Sequence, residues 1–314
     1  MAEVSPFRGI RYNPEKIKDM SRVVTPPYDV VSAEERAAFY ASHPNNIIRL
    51  ILNMPTEADC EGDDCHARAA GCYASWLRDG VLMQDDVPSL YLTRLDFPLG
   101  EEIVRRFGLI AAVRLEPFEK GIVLPHERTF SKIKSERLAL MKRCHTNFSP
   151  IFSVYADSEN LLEFLREAAL KKAPETDFTD TDGFRHLMWR ITDPLVVGFV
   201  ADAMAEKRIY IADGHHRYET ALVYRDWVAE NTPGFSDAHP ANSIMMSLSS
   251  MEDPGLVILP AHRLLRRIDA EMRERLLREA PRYFEMTSMP AEGHLERLEE
   301  VLEAGERRHT LAFF

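Results

Sequence analysis

Apolar positions along the chain recur in two periods, and the places where the period changes mark out its elements. Ser32 and Glu35 make a capping box that opens a helix over about 33–42, which Pro44 should end. The apolar stretch Asn46–Leu52 reads as a strand. Ala70, Tyr73, Ala74 and Leu77 share one face of a helix from about Ala67 to Asp79, closed by Gly80. Alternating β-branched and aromatic residues predict strands at Ser89–Phe97 and Ile103–Arg114, joined as a hairpin through Pro98–Glu101. A basic amphipathic helix follows at 131–145, then the apolar Phe148–Tyr155 and a helix near Ser158–Lys172. Ala173–Gly183 is weakly patterned and reads as a loop or connection. Strands at Phe184–Thr192 and Arg208–Ala212 flank a helix that opens with Asp193 and Pro194. A helix then runs from His215 to about Glu230, with strands at Ser243–Ser249 and Leu256–Leu259 on either side of an Asp253–Gly255 turn.

There is no internal repeat. The expected class is α+β, mixed sheets with packed helices, organised as a domain over 1–266 and the start of a C-terminal α/β region over 267–314. Arg308–Phe314 reads as a strand with no partner after it, so the chain is expected to be a fragment of a longer protein.

Composition narrows the function. With 314 residues, 45% of them hydrophobic, the chain can bury a substantial core, and its net charge of −11 disfavours broad attraction to nucleic acid or anionic lipid. Any anion site must be local. The apolar run Pro194–Ala203 is far too short to span a bilayer and Asp202 interrupts it. The first residues, with Glu3, Arg8, Arg11 and Lys16, do not resemble a secretory signal, and 4 cysteines are too few for a disulfide scaffold. A cytoplasmic location is expected.

The strongest local signal is a β-branched strand, Ile209–Ile211, entering Asp213-Gly214 and then a helix that begins His215-His216-Arg217. Gly214 permits a tight turn, and amides of a first helical turn attract anions. Arg217 adds a guanidinium suited to phosphate, and the two imidazoles can donate hydrogen bonds or move protons. Asp213 would hold Mg²⁺ or take a proton from an attacking hydroxyl. The alternative is that Asp213 N-caps the helix and the histidines are buried spectators.

Further signals lie elsewhere. His126-Glu127-Arg128-Thr129 precedes the basic helix, and Arg128, Lys132, Lys134, Arg137, Lys142 and Arg143 stand against Glu136 alone within that span. This local reversal of charge suits a polyphosphate, or else a solvated helix face. Pro26 and Pro27 stiffen a loop carrying Tyr28 and Asp29, and Asn46 and Arg49 begin the expected strand. Those groups line a pocket, or else Pro26-Pro27 is a plain connection and Arg49 a surface residue. Cys60, Cys65, Cys72 and His66 invite a zinc reading, but 4 and 6 residues separate the successive cysteines, unlike a zinc knuckle.

Taken together and in order, Pro26–Val30, Asn46–Leu50, His126–Thr129, Asn147–Phe152 and Asp213–Tyr218 resemble the bacterial and archaeal family catalogued as domain of unknown function number 1015. The resemblance covers residues 4 to about 265, and members of that family usually run on past this chain's last residue. More distantly, Asp213–Arg217 is similar to the phosphate-binding motif of the ParB/sulfiredoxin superfamily, which implies a nucleotide-binding α+β core. Sulfiredoxins carry a catalytic cysteine where this chain has His215, which argues against sulfinic acid reduction. Partition proteins continue into basic DNA-binding helices, which this acidic chain lacks. Free serine kinases of the superfamily keep an Asp and a His in the motif and use a carboxylate as base, a role for Asp213 or Glu127.

The resulting expectation is a Mg²⁺-dependent phosphotransferase using ATP or ADP, with CTP as a further candidate, acting on a hydroxylated small molecule such as serine. Asp213, Glu127, His126 and His216 are the expected catalytic residues. Gly214, His215, Arg217, Arg128, Thr129, Asn46 and Arg49 are expected to hold the nucleotide, Tyr28 and Asp29 the substrate, and Asp213 the metal. The rival expectation is a non-catalytic nucleotide sensor. No membrane or nucleic-acid partner is expected.

Overall fold

The structure, a computed structural model, describes residues 1–54, 65–126, 131–258 and 267–287, with the backbone alone at 131–135. In chain order its elements are β1 (Val4–Ser5), β2 (Ile10–Tyr12), α1 (Ala33–Ser42), α2 (Ile48–Ile51), α3 (Cys65–Arg78), β3 (Leu82–Gln84), β4 (Leu90–Leu99), β5 (Glu102–Arg114), β6 (Val123–Leu124), α4 (Ser131–Cys144), β7 (Ile151–Tyr155), α5 (Leu161–Ala169), β8 (Thr176–Thr179), β9 (Arg185–Ile191), α6 (Pro194–Ala205), β10 (Ile209–Asp213), α7 (His215–Asn231), β11 (Ser243–Ser250) and α8 (Ala270–Glu279). The chain divides into compact units at Met1–Val257 and Ile258–Phe314. In the second unit, α8 is capped by Asp269, which accepts from the Met272 amide.

Among the described residues 9 strands form one mixed sheet, ordered β6-β10-β7-β11-β5-β4-β9-β8, with β1 paired to β5. Pairing is parallel for β10 with β6 and for β11 with β7, and antiparallel elsewhere. This is the expected α+β class. One face of the sheet buries Leu92, Leu109, Met246 and Ile151 in a core shared with Leu165 of α5 and Met204 of α6. A second cluster, with Leu50, Ile51, Tyr73, Trp76 and Leu140, joins α2, α3 and α4. Among the described residues no helix is long and apolar enough to cross a membrane.

Local signals in the sequence correspond to local structure. Ser32 and Glu35 exchange the two bonds of a capping box, and Asp193 caps α6 ahead of Pro194. The β4–β5 hairpin turns at Gly100, whose φ of 61° suits glycine.

Elsewhere the structure differs from expectation. Asn46–Leu52 is not a strand: Asn46 Oδ1 accepts from the Ile48 amide at 2.9 Å, a local turn that starts α2. Within 173–183, Thr176–Thr179 is a strand, paired with β9 and clamped by two Asp177–Arg185 hydrogen bonds of 2.8 and 2.7 Å. Leu256–Ile258 forms no strand, because the Leu256 amide closes a turn on the Asp253 carbonyl. The expected strand at Arg308–Phe314, together with Leu259, lies outside the described residues.

A buried ionic knot ties the N-terminal segment to this sheet. Asp85, 1% exposed, accepts from Arg11 at 2.6 Å and from the Tyr91 hydroxyl at 2.6 Å, with Arg190 at 3.4 Å. Burial also pushes the Tyr218 phenol up to about 12 and raises those of Tyr12, Tyr91 and Tyr155.

These phenols stay protonated in the fold but ionise near pH 10 when unfolded, so the unfolded state gains on the native one as pH rises past that value. Stability is expected to hold up to pH ~10 and then fall by about 1.4 kcal/mol per pH unit for each such phenol. Thermal unfolding followed from pH 8 upward checks this. Tyr218→Phe should lower neutral-pH stability by about 1–2 kcal/mol, through its lost bonds to Glu116, and make the alkaline decline shallower.

Candidate functional site

The turn between β10 and α7 is the centre of the site. A register shift between Ile211 and Asp213 carries Asp213 to the end of β10, opposite Phe152 of β7. Gly214 follows with a φ of 101°, in the left-handed region, and is itself the N-cap of α7. The reading of Asp213 as the N-cap is therefore corrected. Its carboxylate instead accepts from Arg217, one turn into the helix, and Arg217 also donates to the carbonyl of Pro150. Gly214 is needed for space as well as for its φ, since a Cβ there would stand 2.9–3.0 Å from the Arg217 guanidinium.

His215 is buried at 2% exposure, and its Nε2 accepts from the His126 amide at 3.2 Å, which assigns its proton to Nδ1. The two imidazoles meet edge to face, 4.5 Å between ring centres. His126 Nδ1 donates to the Ile211 carbonyl at 2.8 Å. His216 takes the next position of α7, partly buried, and its carbonyl accepts from Thr220 at 2.6 Å.

Arg137 of α4 connects this turn to the N-terminal motifs. Its guanidinium lies 3.5 Å from the Tyr28 ring centre and donates to the Ile51 carbonyl at 2.8 Å. Burial lowers its pKa below the usual arginine value; Tyr28, Glu136 and Asp29 act the other way, and Arg217 lowers it further. Arg137 and Arg217 therefore repel within electrostatic range, and Arg217 sits in the first turn of α7, at the positive end of its dipole. A shared anion would relieve that repulsion.

Tyr28, Asp29, His126, Asp213, Gly214, His215 and Arg217 therefore belong to one neighbourhood. Asn46 does not reach it. That residue is 0% exposed, and its amide bonds the carbonyls of Arg22 and Val24 and the Ile48 amide, so it braces the loop rather than facing a ligand. Arg49 is held against α1, donating to the Tyr40 carbonyl at 2.8 Å and lying 4.3 Å from the Tyr40 ring. Both assignments assumed a strand, and α2 points the two side chains back into its own scaffold. Glu127, Arg128 and Thr129 lie outside the described residues, as does Cys60 of the zinc reading. Among the described residues no three His, Cys, Asp or Glu side chains gather as a metal-binding group.

A family model described as Protein of unknown function (DUF1015) matches residues 4–313. The chain belongs to this family. None of the curated proteins and none of the solved structures matches it. In this DUF1015 chain, sequence reasoning passed over Arg137 as a site residue, although it stood in the basic run. A cavity of about 540 Å³ near His145, Tyr224 and Trp227 lies farther along the same pair of helices, lined by none of the expected site residues.

Gly214→Ala should destabilise the protein by about 1–2 kcal/mol, because an L-residue resists this backbone conformation. It should also displace Arg217 from its two acceptors. Urea denaturation measures the first effect, and the Arg217 side-chain NMR resonances report the second.

Proposed function

We propose that this chain is a Mg²⁺-dependent small-molecule phosphotransferase, with ATP or ADP as donor and CTP as a further candidate, acting on a hydroxylated amino acid such as serine. The observation that carries this reading is the place of Arg217 in the first turn of α7, bonded to Asp213, with the cationic Arg137 of α4 within electrostatic range. Two guanidinium groups and a helix N-terminus give a phosphate chain more positive potential than any single side chain would. The further assignment of the β10–α7 turn to a ParB/sulfiredoxin-like phosphate cradle rests on the Asp213–Arg217 motif.

In this reading the phosphates lie between Arg217 and Arg137, and Tyr28 and Asp29 face the acceptor. The acceptor hydroxyl oxygen bonds to the terminal phosphorus as the bond from that phosphorus to the bridging oxygen of the nucleotide breaks. The hydroxyl proton passes to Asp213 or to Nε2 of His126. Glu127, Arg128 and Thr129 are further candidates for this pocket, and His216 is a candidate proton carrier. A half-exposed carboxylate beside phosphate oxygens is an adequate Mg²⁺ donor set, so Asp213 fits that cation. When bound, Mg²⁺ supplies neutralisation of the phosphate charge.

A nucleotide-sensing role is the second reading, and one contact favours it. Arg217 already holds Asp213, so an arriving phosphate exchanges one anionic partner for another and releases the carboxylate. That exchange is a switch whether or not chemistry follows.

Phosphorus NMR of the protein with Mg²⁺, each of ATP, ADP and CTP, and a mixture of hydroxyl-bearing amino acids tests the proposal. A new phosphomonoester signal is expected, with turnover reduced at least about a hundredfold in Asp213→Asn and nucleotide binding weakened about tenfold or more in Arg217→Ala. Broadened nucleotide signals without product would favour the sensor, and unchanged turnover in both variants would remove this turn from consideration.

A further inference from the structure

The sheet face on which Phe152 lies carries a second cationic feature that the phosphate site does not use. Gly108 on β5 is packed so closely that a Cβ would stand 3.0 Å from Ser247 Oγ and 3.1 Å from Thr93 Oγ1. These residues, from β11, β5 and β4, therefore form a low, polar floor. Ser247 pairs in register with Phe152, and Phe152 pairs with Asp213, so the floor continues across the ladder to the β10–α7 turn.

Arg106 precedes Gly108 by one strand repeat and shares its face. Its guanidinium lies 4.9 Å from the Phe152 ring centre, so the side chain reaches from β5 toward β7. Most of the partly buried arginines are satisfied: Arg11 by Asp85, Arg190 by Asp86, Arg217 by Asp213 and Arg137 by the Ile51 carbonyl. Among the described residues Arg106 has no hydrogen-bond acceptor and no ion-pair partner. The nearby acid, Asp253, is already committed, accepting from the Phe107 amide at 2.7 Å and the Gly255 amide at 2.9 Å. Burial lowers the pKa of Arg106 more than Asp253 raises it. A guanidinium with no bonded acceptor gains two charge-assisted bonds from a ligand carboxylate.

We infer that Arg106, above the floor of Thr93, Gly108 and Ser247 and beside Phe152, binds the carboxylate of a small-molecule substrate. A single planar guanidinium matches a planar carboxylate through two parallel bonds, and the Ser247 hydroxyl provides another donor. The more highly charged phosphates belong at the end where Arg137 and Arg217 gather. This division of anions rests on the phosphotransfer reading and adds to it that the acceptor is a carboxylic acid, oriented across Phe152 toward Asp213.

Thermal unfolding of the full chain in low-chloride buffer tests the inference, with acetate and L-serine set against acetamide and serinamide. The carboxylates should raise the unfolding temperature of the native protein, and the amides should not. In Arg106→Met, carboxylate binding should weaken about ten- to a hundredfold while the response to ATP is retained. Arg106→Lys should restore part of the carboxylate response, and Arg217→Ala should lose the ATP response and keep that to acetate. Without ligand, Arg106→Met should unfold at the same temperature as the native chain or higher. Carboxylates that leave the native protein unaffected, or that stabilise Arg106→Met equally, overturn the inference. So does a ligand-free Arg106→Met that unfolds well below the native protein, since that assigns the arginine to the scaffold. Failure of ATP alone to bind the native chain would count against the phosphate site and leave the carboxylate result standing.

Discussion

The candidate site depends on how Arg217 is held. A guanidinium largely withdrawn from water must find acceptors in fixed directions, and Arg217 finds them in the carboxylate of Asp213 and the carbonyl of Pro150. Those bonds join the end of β10, the approach to β7 and the first turn of α7. Gly214 makes the geometry available, because a side chain at that position would occupy the space the guanidinium fills. The same turn aligns His215 with His126, so the two imidazoles are placed by the constraint that places the cation.

Around this point the fold concentrates positive charge in an acidic protein. Arg137 comes from a helix remote in sequence, is braced by Tyr28 and Ile51, and adds a second positive charge within electrostatic range of Arg217. By contrast, the buried charges of Arg11, Asp85 and Arg190 neutralise one another and serve to attach the N-terminal segment to the sheet. Buried charges that neutralise one another belong to the scaffold, whereas Arg217 pairs with a half-exposed carboxylate, Asp213.

The sequence revealed features whose causes are local. The capping box at Ser32, the Asp193-Pro194 start of α6 and the glycine turn of the β4–β5 hairpin each involve groups a few residues apart, and each appears where the pattern put it. Asn46–Leu52 was misread because a hydrogen bond from the Ile48 amide to the Asn46 side chain outweighs the β-propensity of adjacent isoleucines. The sheet order was not legible, since β5 pairs with β11 across more than a hundred intervening residues. Of the site, the Asp213–Arg217 turn announced itself through its glycine and its cluster of chemistry, whereas Arg137 and Arg106 acquire meaning only from their neighbours in space.

The position of β10 in the sheet also sets the order in which the molecule can be made. β10 lies between β6, at Val123–Leu124, and β7, at Ile151–Tyr155, so both earlier strands lack this neighbour until residue 209 has been synthesised. A chain emerging from the ribosome therefore carries the His126 segment and the basic helix α4 through the synthesis of some eighty further residues before their site can close. During that interval β6 and β7 present unpaired edges, the kind of surface that recruits chaperones or mispairs with other strands.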